Sequence, residues 1–165
     1  MEHSDLLLTT AEVSIAFAGF ASLVTLLARR STDDRLPLDV ARLRGMILFS
    51  LLALAFSLFP FLPHLLGTSA AAVWRISSVA LLVAWGSGVW FQGRYVRRVG
   101  ASRFGSLLIT GPLSLFAGVL LAVNSVLDLA EYSAAIYFFS LFSMLFLSGF
   151  LFFLTFLSVL RGSDP

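Results

Sequence analysis

Five side chains able to hold charge or exchange protons stand within or beside long apolar stretches: Glu12, His64, Arg75, Asn124 and Asp128. A carboxylate and an imidazole trade protons, a guanidinium holds an anion, and an amide orients whichever neighbour it bonds. A lone charge in hydrocarbon costs roughly 2.5–3.5 kcal/mol on insertion scales, so Glu12 and Arg75 are expected to be paired, hydrated or protonated. Both lie a similar number of residues from one face of a membrane, which lets them pair with each other. Three arrangements follow. One is an inert ion pair clamping the first and third helices, with Arg75 reaching toward the headgroups. Another is a polar vestibule in which Glu12, His64 and Asp128 admit an ion, a proton or a small polar solute. In the third, Glu12 faces a partner subunit.

Other chemistries lack their residues. With no cysteine there is neither a disulfide nor a thiolate nucleophile. His64 and His3 supply neither two axial haem ligands nor a three-ligand zinc site, so no metal and no cofactor is expected. Trp85-Gly86-Ser87-Gly88 has a slight likeness to a nucleophile elbow, but the spacing is not G-x-S-x-G and no histidine is placed to activate the serine. There is no phosphate-cradling glycine loop and no carboxylate pair at catalytic spacing. The expectation is that the chain is not an enzyme.

The elements that must position these residues are read from apolar runs. At 165 residues, 59% hydrophobic and 12% charged, the composition does not suit a water-soluble domain. A bilayer core needs about 20 apolar residues per helix, which leaves room for four to six spans. The runs 6–28, 41–66, 70–91, 106–127 and 133–160 predict an all-α, polytopic membrane bundle of five transmembrane helices in a single domain. The alternative is four spans with a re-entrant segment at 59–66, where Pro60 and Pro63 stand. Residues 1–5 carry Glu2 and Asp5 and no basic residue, which does not fit a secretory signal, so the first run is expected to be a retained helix.

All eleven basic residues are arginine. Placing the connections at 29–40 and 92–105 inside puts Arg29, Arg30, Arg35, Arg42, Arg44, Arg94, Arg97, Arg98, Arg103 and Arg161 on one side, leaving Arg75 near the other. The positive-inside rule then predicts an outer N-terminus, a cytoplasmic C-terminus and a bacterial inner membrane. The high sequence pI of about 9.7 is accounted for by this asymmetry, and no nucleic-acid partner is expected. Arg94, Arg97 and Arg98 suit anionic lipid headgroups.

Helix faces are legible as well. In the last run the phenylalanines 138, 139, 142, 146, 150, 152, 153 and 156 gather on about half the wheel, with Ser133, Tyr137, Ser140, Met144, Ser148, Thr155 and Ser158 opposite. Aromatic bulk gains nothing by hiding from lipid, whereas small and hydroxylated residues favour helix contact, so the serine face is expected to meet protein. Ala18, Ser57, Ala84, Gly118 and Ser140 belong to such stripes, spaced three and four apart. The functional expectation is a homo-oligomeric channel or transporter for an ion or small polar solute, in contact with membrane lipids. The alternative is a non-transporting accessory, assembly or sensor subunit with a membrane-protein partner.

Overall fold

The structure is a computed structural model and describes residues 3–28, 36–98, 105–126 and 132–162. It is an all-α bundle: α1 (Ser4–Ala28), α2 (Leu36–Leu58), α3 (Phe61–Leu65), α4 (Ala70–Arg98), α5 (Gly105–Val126) and α6 (Ser133–Gly162). Four stretches, Ser4–Leu23, Val40–Leu65, Ala70–Tyr95 and Ser133–Leu157, are long and apolar enough to cross a membrane, and Gly111–Val126 in α5 is a shorter apolar stretch.

Three boundaries differ from the sequence expectation. α2 begins at Leu36, inside the segment 29–40 read as a connection. The basic segment at 92–98, read as a connection, continues α4 to Arg98. The helix keeps its hydrogen-bond ladder beyond the apolar run, because polar side chains on its last turns do not interrupt backbone pairing. The segment around the two prolines breaks into a turn at 59–60 and the five-residue α3. The prolines remove ladder donors there, and the following turn closes at Gly67, whose φ of 76° suits a residue without a Cβ. Pro112, by contrast, is accommodated inside α5.

Cross-helix contacts fix the helix directions. His3, ahead of α1, lies with its ring 6.4 Å from Trp74 of α4 and 5.9 Å from Phe138 of α6, so all three helices begin at one end. The last turn of α2 joins that end through Phe56 and Tyr137. The end of α5 joins it through Asn124 and Ser133. At the opposite end Gln92 of α4 donates to the Ala41 carbonyl of α2 at 2.7 Å. Successive long helices therefore alternate in direction.

At the centre, α2 and α6 pack along their lengths, and both α1 and α4 pack on that pair without forming a substantial interface with each other. Two helices seated on the same pair but apart must occupy its opposite flanks. α5 completes the flank beside α4, packing on α4 and α6. Gly45 of α2 faces both α4 and α6: a Cβ there would stand 3.0 Å from the Gln92 amide nitrogen and from a Leu151 methyl, so both side chains would have to give way by a few tenths of an ångström.

Candidate functional site

Of the five polar residues singled out in the sequence, Asn124 is the one that the described structure buries. Its Nδ2 donates to Ser78 Oγ of α4 and its Oδ1 accepts from Ser133 Oγ of α6, both at 2.9 Å. One amide thereby ties three helices near the end where α4 and α6 begin. The apolar surroundings force this: within hydrocarbon a polar side chain finds its partners in the protein or goes without.

Glu12 and Arg75 are exposed, on the outer faces of α1 and α4, and His64 is exposed on α3. Among the described residues no hydrogen bond or ion pair joins the three to one another, and the expected Glu12–Arg75 clamp inside the bundle is absent. The cause is topological, since α2 and α6 stand between the two helices. Asp128 lies outside the described residues. No group of three or more His, Asp or Glu side chains comes together among the described residues.

The common depth expected for Glu12 and Arg75 is also only approximate. Phe17 of α1 abuts Gly149, and Phe20 lies 6.5 Å from Phe152, so α1 runs level with α6 at an offset of 132. Trp74 sits against Tyr137 and Phe138. Glu12 is therefore level with Met144, and Arg75 with 138–139, a separation of about 8 Å at 1.5 Å per residue.

The packing residues distribute as a bundle requires. Ser57 and Ser140 are buried, while Ala18, Ala84 and Gly118 are half-buried at helix margins. On α6 the serine face turns inward, with Ser140 and Ser148 at 0% exposure, while Phe142 and Phe146 are 53% and 58% exposed. Phe138 departs from its face and is buried against Trp74. Arg94 stacks over the Trp90 ring at 4.5 Å, and Arg97 and Arg98 are exposed in the last turn of α4. Ser158 and Arg161 fall on α6, and nothing is described of their side chains.

The interior hydroxyls account for most of their own hydrogen-bonding capacity. Thr10, Ser14, Ser57, Ser140, Ser143 and Thr155 each donate to the carbonyl four residues back. Ser148 donates to the Met46 carbonyl at 3.1 Å, so its single proton is spent and Ser50 supplies the hydrogen of their 2.8 Å contact. On α4, Ser77 Oγ, Trp85 Nε1 and Gln92 Oε1 are buried without a hydrogen-bond partner. Trp85 and Gln92 follow Ser78, the partner of Asn124, at seven-residue steps on one face of α4, about 10 Å apart at 1.5 Å per residue, and among the described residues no hydrogen bond links these stations.

Two features were not singled out from the sequence. One is the phenol of Tyr137, fully buried, which donates to the Phe56 carbonyl. That carbonyl has no ladder donor, because the residue four positions on is Pro60. The proline marks the orphan acceptor in the sequence, but its donor lies 81 residues away. The other is an open apolar groove of about 560 Å³ between α1 and α6, walled by Leu6, Val13, Phe17, Phe146 and Phe153 with Gly149 at its floor. Small residues at Gly149 and on α1 announce a close approach but not the gap beside it.

Comparison of the chain with protein families, with curated proteins and with solved structures finds no match.

Proposed function

We propose that the protein is a non-conducting subunit of a membrane assembly, working through the outer faces of its helices rather than through a passage inside its bundle. The observation that carries this reading is the division of polar groups. Most interior ones bond each other or their own backbone, whereas Glu12 and Arg75 stand on outer faces. A charge on a lipid-facing surface is costly, and a partner group relieves that cost.

The proposed topology has five spans. Arg44, Arg94, Arg97 and Arg98 mark the cytoplasmic end, and Arg75 lies near the outer one. In this proposal the N-terminus is outside, the C-terminus is cytoplasmic and the membrane is a bacterial inner membrane. Lipid acyl chains fill the groove between α1 and α6, and anionic headgroups meet the arginines closing α4. Oligomeric transport remains as a second reading in one form, a path between copies lined by Glu12, and the exposure of Glu12 favours that form.

Reconstitution into liposomes separates the two. Proton and small-ion flux through the purified protein is expected to equal that of empty vesicles, and Glu12→Gln is expected to leave it there. A flux above background that Glu12→Gln abolishes would refute the non-conducting role and establish the transport reading.

A further inference from the structure

We propose that the partner of the Glu12 face is a second copy of this chain, docked head to tail, with the outer face of α1 in one copy against the outer face of α4 in the next. The inference rests on the docking role proposed above and names its partner. It is carried by charge complementarity: the carboxylates of Asp5 and Glu12 and the guanidinium of Arg75, all exposed, stand on helices that occupy opposite flanks of the α2–α6 pair. A single chain cannot bring them together across that pair, but a neighbour of the same orientation presents Arg75 to Glu12. Such a contact uses different surfaces on its two sides, so it closes into a ring or extends as a chain instead of stopping at a two-fold dimer.

The two faces also fit in register. On α1 the residues opposite the buried side are Asp5, Glu12, Ala16, Gly19 and Leu23, spaced mostly by three and four and all exposed. On α4 they are Arg75, Val79, Val83, Gly86 and Trp90. Neither Gly19 nor Gly86 has any atom within 4 Å of the place its Cβ would take. The shared ruler of α6 puts Gly19 within about 2 Å of the level of Gly86 at 1.5 Å per residue. Small residues at the same level let parallel helices approach closely. The remaining offset of about 8 Å between Glu12 and Arg75 is within the reach of arginine's long side chain turned toward the carboxylate.

The absence of native cysteine makes the test direct. Gly19→Cys and Gly86→Cys are made in separately tagged copies, co-expressed, and oxidised in intact membranes. Cross-linking between the two tags is expected, since a disulfide needs Cα atoms within about 7 Å. The double variant is expected to give a ladder, and neither single variant alone a cross-linked dimer. Glu12→Arg is expected to lower the yield about tenfold, a loss equivalent to one buried charge pair, and adding Arg75→Glu to restore it. Spin labels at the same sites, read for distance in detergent, check the contact if the disulfide itself distorts the helices. A dimer from Gly19→Cys alone, or a yield indifferent to Glu12→Arg, would overturn the head-to-tail contact. Capture of a different membrane protein by Glu12-bearing monomers would also overturn it while sparing the docking role. Conducting vesicles would instead remove the docking role and leave the cross-link standing.

Discussion

Tyr137→Phe is expected to destabilise the bundle by about 1–2 kcal/mol, because it leaves the half-buried Phe56 carbonyl without its donor while changing almost nothing in shape. Pro60 leaves the Phe56 oxygen without an amide from its own helix, and the Tyr137 hydroxyl supplies the missing hydrogen from α6. Pro60→Ala restores an amide at that position. In this background the loss of the phenol should cost less than it does in the native chain, though Pro60→Ala carries its own penalty from a cavity at a buried site. Reversible unfolding of the four proteins in mixed micelles, read by circular dichroism, gives the coupling energy as a double-mutant cycle. An equal cost of Tyr137→Phe in both backgrounds would show that the carbonyl does not depend on the phenol.

The second large effect is expected at Asn124. Asn124→Leu removes two buried hydrogen bonds at once and leaves Ser78, at 0% exposure, facing apolar neighbours. Interhelical bonds in membranes average about 0.6 kcal/mol and orphaned polar atoms cost more, so a loss of about 1–2 kcal/mol is expected. Replacing Ser78 by alanine as well removes the orphan and should recover part of that loss. If the double variant is less stable than Asn124→Leu alone, the serine is not the source. The same unfolding measurement decides it, and the liposome assay should read background flux for every variant.

These residues show different degrees of legibility. The apolar runs mark the helices because a bilayer demands about 20 apolar residues per span and internally satisfied backbone. The faces of α6 are equally open to reading, since a wheel of eight phenylalanines against serines has one arrangement that suits both lipid and neighbours. Asn124 is identifiable as a polar residue in an apolar run, although its partners on α4 and α6 are not. The boundary between α4 and the following connection is less legible, because polarity and helix formation are separate properties and the basic residues at 92–98 stay helical.

What the sequence by itself determined is local: the all-α class, the approximate helix spans and the inward face of the last helix. These follow from hydrophobicity and helical periodicity, which are properties of neighbouring residues. Only the tertiary structure decided which helix touches which. Depth along a membrane can be counted along a chain, but the order of helices around a bundle cannot. The insertion of α2 and α6 between α1 and α4 is what keeps Glu12 apart from Arg75 and turns both outward.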